Sequence, residues 1–346
     1  MTSELDQPTP LPPPPARRVL MLGATGTIGR ATVLALLARG HEVVCFVRKP
    51  VVVDGAEVRV GDVTDPASPA RDAFRGERFD AVVSCMASRT GAPKDAWAID
   101  CQAHLNVLEA AKAAGVGHFV LLSAICVQKP LLAFQHAKLA FETALAGSGL
   151  RWSIVRPTAF FKSLSGQIER VRGGRPFLLF GDGTLTACKP ISDEDLADYI
   201  AGCLDDKSRW NRVLPIGGPG PAITPRQQGE HLFALLGRPP KFQSVPVRML
   251  DVIIGVLATL GRLSPALAEK AELARIGRYY ATESMLVLDP VTGRYDAATT
   301  LSTGTRTLFA FYADVVAGAK APDLGDHAVF GAADGRAAPP PRQPAT

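Results

Sequence analysis

A glycine-rich segment near the start of the chain, Gly23-Ala24-Thr25-Gly26-Thr27-Ile28-Gly29, constrains the fold more than any other feature of this sequence. A short apolar run at 18–22 precedes it and fits a strand buried on both faces. Apolar residues at helical spacing follow at 28–38, and Gly40 is placed to end that helix. The segment therefore predicts a tight loop between a buried strand and a helix.

Each glycine of this loop has its own role in such a unit. Gly23 allows the tight turn, Gly26 lets a pyrophosphate approach the backbone, and Gly29 lets the helix lie close to the sheet. The helix N-terminus adds free N–H groups and the positive end of its dipole. The GxxGxxG spacing departs from the commoner GxGxxG, and the alternative is a glycine-rich turn without a ligand. The strand-loop-helix context favours a dinucleotide site made by Gly23 and residues 25–29.

Apolar runs and helical stretches alternate along the first half of the chain. Further runs lie at 42–47, 57–60, 80–85, 118–123 and 152–156, and helical spacing is found at 99–114 and 135–146. Strand then helix, repeated, predicts parallel strands joined by right-handed crossovers, with helices on both faces. The predicted fold class is therefore α/β, a Rossmann-type doubly wound parallel sheet with a smaller, mixed α/β substrate domain.

The predicted boundaries follow from where this alternation stops. Residues 1–16 form a proline-rich leader and 331–346 a tail rich in Ala, Pro and Arg, and both are predicted to be disordered. Residues 17–158 are predicted to bind the dinucleotide. Residues 159–330 are mainly the substrate domain, with 191–218 returning to the first sheet. We expect the ligands at the carboxyl edge of that sheet.

Composition excludes several classes of protein. Of the 346 residues, 47% are hydrophobic and 21% are charged, which is the balance of a globular protein. The net charge of +5 is spread along the chain, so no nucleic-acid surface is expected. A membrane-spanning helix needs about 18 consecutive apolar residues, and no such run is present. The six cysteines lack the spacing of a zinc site or a disulfide scaffold, so we expect reduced thiols and no protein-bound metal.

The end of the second strand selects the dinucleotide. Asp or Glu at this point binds the ribose hydroxyls of NAD. This sequence instead has Arg48, 19 residues past Gly29 (48 minus 29), followed by Lys49. A guanidinium here suits the 2′-phosphate of NADP. We therefore predict NADPH as the cofactor, with a solvated Arg-Lys pair as the alternative.

Three other strand ends supply candidate cofactor contacts. Asp62 and Val63 follow the third strand, and Asp62 is placed either to meet the adenine amino group or to hold a turn. Ala87, within 85–88, would line the ribose and phosphate side. Ser123 ends the fifth strand, where the nicotinamide is expected.

Two further segments, GDVTD at 61–65 and ISDEDLADYIA at 191–201, occur in the same sequence as the glycine loop. With it they resemble the extended and atypical branches of the short-chain dehydrogenase/reductase superfamily. That superfamily uses Tyr-x-x-x-Lys on the helix after the fifth strand: the tyrosine passes a proton to a carbonyl oxygen and the lysine binds the nicotinamide ribose. The matching residues here are Phe134 and Lys138. The resemblance implies that Lys138 is the catalytic residue and also contacts the cofactor.

The missing tyrosine changes the expected chemistry. Phenylalanine has no proton to give, so interconversion of a ketone and an alcohol is not expected. Lys138 still holds ribose hydroxyls and supplies positive charge. We therefore predict a hydride acceptor other than a carbonyl, such as a carbon–carbon double bond conjugated to an electron-accepting system. The alternative is a protein that has lost hydride transfer and only senses NADP.

Segments of the second half narrow the resemblance. They are FQHAKLAF at 134–141, RPTAFFK at 156–162, YATESML at 280–286, TGRYD at 292–296, LSTG at 301–304 and GDHAVF at 325–330. They are similar to the NADPH-dependent 8-vinyl reductases of divinyl chlorophyllide. This resemblance implies a magnesium tetrapyrrole substrate, divinyl chlorophyllide or protochlorophyllide, with hydride attack on the terminal vinyl carbon. The proton donor stays open among Lys138, His136, Cys126 and bound water.

A flat, apolar ring with a carboxylate arm needs a wide apolar pocket with a few polar anchors. Candidate residues for the pocket are Phe134, Phe160, Phe161 and Phe177, each with an ordinary core position as the alternative, and Lys162 or Arg156 as carboxylate anchors. The apolar stretch at 249–263 is a pocket wall, a core helix or a membrane-surface contact. The first two are favoured, because its polar face is not rich in Lys or Arg.

Two rival functions stay open. One is another NADPH-dependent C=C or quinone reductase of the atypical group, and the other is a non-catalytic NADP-sensing regulator. The leader carries Glu4 and Asp6 and does not resemble a plastid transit peptide. We therefore expect a cytoplasmic protein of a bacterium, with peripheral contact to the photosynthetic membrane as an option.

Overall fold

The computed structural model describes residues 15–319. The predicted disorder of residues 1–14 and of the tail at 331–346, and the GDHAVF segment at 325–330, lie outside the described residues.

A sheet of seven parallel strands forms the centre of the molecule, in the order β3-β2-β1-β4-β5-β6-β8. The strands of the structure are β1 Arg18–Leu22, β2 Glu42–Val47, β3 Glu57–Val60, β4 Ala81–Ser84, β5 His118–Leu122, β6 Arg151–Pro157, β7 Phe177–Phe180, β8 Arg212–Ile216, β9 Phe242–Val245, β10 Val287–Leu288 and β11 Tyr295–Asp296. The chain turns back across the sheet between β1 and β4, which opens a crevice at their carboxyl ends. The predicted fold class is confirmed.

Helices cover both faces of this sheet. They are α1 Thr27–Ala38, α2 Pro93–Ala96, α3 His104–Ala113, α4 Ala133–Ala146, α5 Phe161–Leu164, α6 Ile168–Arg172, α7 Asp193–Gly202, α8 Pro225–Leu235, α9 Val247–Gly261, α10 Pro265–Thr282 and α11 Leu308–Val316. Two π-helical segments, Pro69–Phe74 and Trp97–Ala103, and two 3₁₀ turns, Ile125–Gln128 and Lys207–Arg209, complete the described elements.

The alternation of side chains along β1 shows how the sheet is buried on both faces. Val19 and Met21 face the cluster that contains α1 and α7, while Leu20 and Leu22 face the cluster that contains α3 and α4. All four side chains are fully buried. A continuous apolar run is the expected sequence of a strand covered on both faces.

A third apolar cluster joins the carboxyl edge of the sheet to the segments that follow β6. It includes Phe161, Phe177 and Tyr312 from the later segments. Cys126 and Phe134, which follow β5, belong to the same cluster. The later segments therefore lie directly over the edge at which ligands of such sheets bind.

The apolar stretch at 249–263 folds as α9, which lies against α10. None of the residues of α9 is buried. The alternative of a core helix is therefore wrong, because no side chain of this helix is buried and none belongs to one of the three clusters.

Candidate active site

The glycine loop contains two glycines that the fold requires, Gly23 and Gly29, and one, Gly26, with open space beside its backbone. Gly23 has a φ of +75°, and a Cβ there would lie 2.7 Å from the backbone of Cys85 and Met86. A Cβ on Gly29 would lie 1.9 Å from the carbonyl oxygen of Gly23. A Cβ on Gly26 would meet its nearest atom at 3.5 Å, which is an ordinary contact. The fold therefore requires Gly23 and Gly29, whereas the open space at Gly26 suits a ligand that approaches the backbone.

The start of α1 is electropositive. Gly26 precedes the helix, no side chain caps it, and its first turn carries no acidic residue. The Nζ of Lys162 lies 2.8 Å from Oγ1 of Thr27, in the first turn. A helix N-terminus with free N–H groups and an adjacent ammonium fits the pyrophosphate of a dinucleotide.

This position favours a role for Lys162 at the glycine loop, and its contact with a substrate carboxylate stays a prediction. The sequence suggested that it anchors a substrate carboxylate, but its ammonium is bonded to the glycine loop. The reason is tertiary: the short helix α5 follows β6 at the carboxyl edge and reaches across to α1.

The end of β2 and the turn after β3 lie close together. Arg48 is exposed directly after β2. Oδ1 of Asp62 accepts hydrogen bonds from the backbone N–H of Thr64 at 2.9 Å and from its hydroxyl at 2.8 Å. These bonds, and then the Arg48 charge, hold the pKa of Asp62 below its ordinary value. Asp62 therefore holds the turn, and its contact with adenine stays a prediction.

Val63 and Ala87 follow the ends of β3 and β4, and their contact with the cofactor stays a prediction. Val63 is buried, and its carbonyl oxygen accepts a hydrogen bond from Nδ2 of Asn106 at 2.9 Å. Ala87 is exposed just past the end of β4. Both positions are at strand ends, where a cofactor would contact backbone more than side chain.

Lys138 forms a buried ion pair that the sequence reasoning missed. Its Nζ lies 2.9 Å from Oδ1 of Asp100, and the two side chains are 12% and 0% exposed. The backbone N–H of Ser88 donates to the same oxygen at 3.1 Å. Burial alone would raise the pKa of Asp100, but the Lys138 charge and the hydrogen bonds from Ser88 outweigh it and keep that pKa below its ordinary value. A charged Asp100 therefore holds the ammonium of Lys138 in place.

The second carboxylate oxygen of Asp100, Oδ2, is buried and accepts no hydrogen bond from the residues that the structure describes. Asp100 lies in the π-helical segment Trp97–Ala103, and such segments occur often at functional sites. Buried carboxylate oxygens nearly always have a hydrogen-bond partner. The open acceptor beside Lys138 fits a water molecule or a ligand hydroxyl, such as that of a ribose. The only sequence sign of this role is a carboxylate within a stretch of helical spacing.

Phe134, which matches the superfamily tyrosine in the sequence, lies at the start of α4. It is buried, in one cluster with Cys126 and Ala137. A Cβ built on Gly91 would lie 3.6 Å from its ring and 3.0 Å from Ile276 of α10. Helix α10 therefore reaches the region in front of Phe134.

Ser123 and Arg156 differ from their expected roles. The hydroxyl of Ser123 donates to Glu142, and the Arg156 guanidinium pairs with the same buried carboxylate. The side chain of Ser123 is thus engaged away from the nicotinamide, and only a backbone contact with the cofactor stays a prediction. Arg156 is not a free anchor for a substrate, because Glu142 on α4 neutralises it.

The phenylalanines expected in the pocket divide into two groups. Phe161 and Phe177 are core residues, with ring contacts to Phe311 and Phe242. Their burial favours the core alternative, and their place in the pocket stays a prediction. Phe160 is half-buried and Phe134 is buried, and the place of both in the pocket stays a prediction.

The two remaining proton-donor candidates also differ in exposure. His136 is exposed on α4. Cys126 is buried, and burial raises the pKa of its thiol. The exposed imidazole of His136 lies on the outer side of α4, away from the cluster around Phe134.

Comparison with known proteins agrees with this geometry. Residues 23–207 match a family described as NAD(P)H-binding. The NADPH-dependent quinone oxidoreductase QOR2 of Escherichia coli, solved with NADPH, superposes with a TM-score of 0.60 at 20% identity, over 87% of this chain and 99% of that one. This likeness shows the fold.

Closer relatives come from plants. The chloroplastic divinyl chlorophyllide a 8-vinyl-reductase of Zea mays is 51% identical over 331 residues, which are 90% of this chain and 82% of that protein. The protein of the same name from Arabidopsis thaliana is 49% identical over 318 residues, covering 86% of this chain and 76% of the relative. Identity at this level over most of both chains confirms the resemblance found in the sequence. The chain belongs to the family of divinyl chlorophyllide a 8-vinyl-reductases, which are oxidoreductases that act on a CH=CH group.

Proposed function

We propose that this protein reduces the 8-vinyl group of 3,8-divinyl chlorophyllide or protochlorophyllide to an ethyl group with NADPH. The observation that carries the proposal is the 51% identity to a divinyl chlorophyllide a 8-vinyl-reductase over 90% of the chain. The site supports it: an open glycine loop, a fixed lysine and a phenylalanine where a carbonyl reductase needs a tyrosine.

The choice of NADPH rests on charge. The pyrophosphate would lie on Gly26 and the α1 N-terminus beside Lys162, and the 2′-phosphate at Arg48. Thr25, Thr27 and Ile28 would contribute backbone N–H groups of the loop. When bound, NADPH supplies the hydride for the reduction.

The residues around Lys138 determine what the site does with that chemistry. Asp100 holds the ammonium where it can bind ribose hydroxyls and add positive charge to the site. Phe134 offers no proton, which disfavours carbonyl reduction. The apolar edge formed with Phe160 suits a flat ring whose own π-system spreads the charge formed during the reaction.

A direct assay tests the function. The protein is mixed with NADPH and divinyl chlorophyllide, and the Soret band is followed. Loss of one vinyl group from conjugation is expected to shift the band to the blue. No shift from a protein that still binds NADPH would contradict the proposal and favour the sensor.

The matched variants are Lys138→Ala and Lys112→Ala, the latter at an exposed lysine of α3 paired with Glu109. We expect Lys138→Ala to lose turnover and NADPH affinity, and Lys112→Ala to behave as wild type. Near wild-type turnover and NADPH affinity in Lys138→Ala would contradict the assignment of this site.

We further propose that the protein contacts a membrane surface through α9. No helix within 15–319 is long and apolar enough to cross a bilayer. Exposed apolar side chains of α9 and the turn after it recur at helical spacing, and they are Met249, Val252, Ile253, Val256, Leu260 and Leu263. Exposed Arg248 and Arg262 flank this face and complement anionic lipid head groups.

A further inference from the structure

The hydroxyl group of Tyr280 reaches the site from α10. Its oxygen lies 3.9 Å from Sγ of Cys126, in the 3₁₀ turn after β5. The residue as a whole is 40% exposed. Burial nevertheless raises the pKa of the hydroxyl well above its ordinary value. The hydroxyl lies beside the buried thiol of Cys126.

The thiol of Cys126 connects this hydroxyl to Lys138. Burial raises the pKa of Cys126, while a hydrogen bond from Gln135, the Tyr280 hydroxyl and the Lys138 charge oppose it. Phenol, thiol and ammonium thus share one neighbourhood. Ile276, one helical turn before Tyr280, lies next to Gly91 together with Phe134. Tyr280 therefore places a phenol on the same helix as Ile276, near the region where Phe134 offers no proton.

The other buried hydroxyls near this region are engaged in the structure. Tyr279 donates to the carbonyl oxygens of Cys126 at 2.9 Å and Lys129 at 3.1 Å. Tyr295 donates to Glu283 at 2.7 Å, and Ser123 to Glu142. Tyr280 differs, because its acceptor is a thiol, and sulfur is a weak acceptor. Its proton can be redirected to a substrate at little cost.

We propose that Tyr280 is the proton donor of the reduction, a role that rests on the proposed function. Reduction of the vinyl group adds one hydride and one proton. The hydride, which NADPH would supply as it is oxidised to NADP⁺, forms a C–H bond at the terminal carbon, and the π electron pair of the vinyl group moves to the inner carbon and into the macrocycle. The O–H bond of Tyr280 then breaks, its proton forms the C–H bond at the inner carbon, and water reprotonates the phenolate.

The test compares Tyr280→Phe with Tyr279→Phe, a neighbour whose hydroxyl is bonded to backbone. General acid catalysis contributes about 10²- to 10⁴-fold, so Tyr280→Phe is expected to lower kcat by that factor. Its Kd for NADPH is expected to stay near wild type. Its Kd for divinyl chlorophyllide, measured from the Soret band in the absence of cofactor, is also expected to stay near that of the wild type. Tyr279→Phe is expected to lower the Tm and to retain kcat.

Near wild-type kcat in Tyr280→Phe would overturn the proposal, and so would a loss of tetrapyrrole binding that accounts for the whole defect. If Tyr280→Phe does not fold, 3,5-difluorotyrosine at position 280 keeps the shape and gives a more acidic phenol. The alkaline limb of the pH profile of kcat is then expected to move to lower pH, and an unchanged limb would overturn the role. An inactive wild-type protein would instead contradict the proposed function itself.

Discussion

Arg48 is exposed at the end of β2, within electrostatic reach of Asp62. A guanidinium that binds the 2′-phosphate contributes a charge-assisted hydrogen bond. Its loss in Arg48→Ala is expected to raise KM for NADPH about tenfold or more and to leave KM for NADH unchanged. Steady-state kinetics with both cofactors measure this, with Lys49→Ala as the control. An unchanged KM for NADPH would rule out the assignment of Arg48.

Asp100 makes a second prediction at the residue scale. Removal of one partner of a buried pair leaves the other charge uncompensated, so Asp100→Asn is expected to lower the free energy of unfolding at pH 7 by about 3 kcal/mol. The folded-state pKa of Asp100 lies below its ordinary value. The stabilisation is therefore present above the unfolded pKa and is lost as pH falls through the folded one.

Urea unfolding at several pH values tests this prediction. The gap between wild type and Asp100→Asn should close at strongly acidic pH. A matched control is Asp95→Asn, whose carboxylate caps an exposed turn at Thr90. Equal stability of Asp100→Asn and wild type at pH 7 would show that the pair is not holding Lys138.

At the scale of elements, two glycines of the β1–α1 loop are expected to affect different properties: Gly29 the stability of the fold and Gly26 the binding of NADPH. Gly29→Ala places a Cβ 1.9 Å from a backbone oxygen, so it is expected to destabilise the fold by about 3 kcal/mol or more. Gly26→Ala meets only ordinary contacts at φ −74° and ψ 165°, so its Tm should match wild type. Its methyl group nonetheless occupies the path of the pyrophosphate and should weaken NADPH binding. Thermal melts and fluorescence titration measure the two effects, and tight NADPH binding by Gly26→Ala would contradict the loop's role.

Helix α9 carries the other prediction at this scale. Vesicles of phosphatidylglycerol and phosphatidylcholine are expected to sediment with the wild-type protein. The double variant Val252→Glu and Val256→Glu should lose that binding and keep its Tm, since both side chains are more than half exposed. Unchanged turnover on detergent-dissolved substrate would separate a lipid contact from a pocket wall. Failure of the wild type to bind vesicles, or loss of a dimer in the variant, would contradict the membrane role.

At the scale of the whole molecule, the buried histidines His41, His104 and His118 make the described part of the chain less stable in acid. Burial lowers the pKa of His104 to about 4 and that of His118 to about 3. These histidines therefore become protonated at a higher pH in the unfolded chain than in the folded one. The free energy of unfolding should for that reason fall from about pH 6.5 toward pH 3. His118→Gln should flatten this fall, and His136→Gln, at an exposed site, should leave it unchanged. A free energy of unfolding that does not change across this range would contradict the burial of these imidazoles as neutral groups.

The sheet was predictable because each of its strands has a recognisable local sequence pattern. Buried parallel strands are apolar runs bounded by glycine or polar residues, and the runs at 18–22, 42–47 and 57–60 coincide with β1, β2 and β3. The elements after β6 were less predictable. Pairs such as β7 and β9 are joined by a long connection, and no local pattern specifies which short strand lies next to which.

The sequence by itself determined the dinucleotide loop, the parallel sheet, Lys138 and the loss of the tyrosine at 134, because these depend on residue types at fixed local spacing. Tertiary structure alone decided that Asp100 pairs with Lys138, that Lys162 lies on the glycine loop and that Glu142 takes up Ser123 and Arg156. It also brought Tyr280 to Cys126 across 154 residues. Contacts between distant elements depend on how the helices pack over the edge of the sheet. The partners of buried charges are set by that packing, and the spacing of residues in the sequence does not predict them.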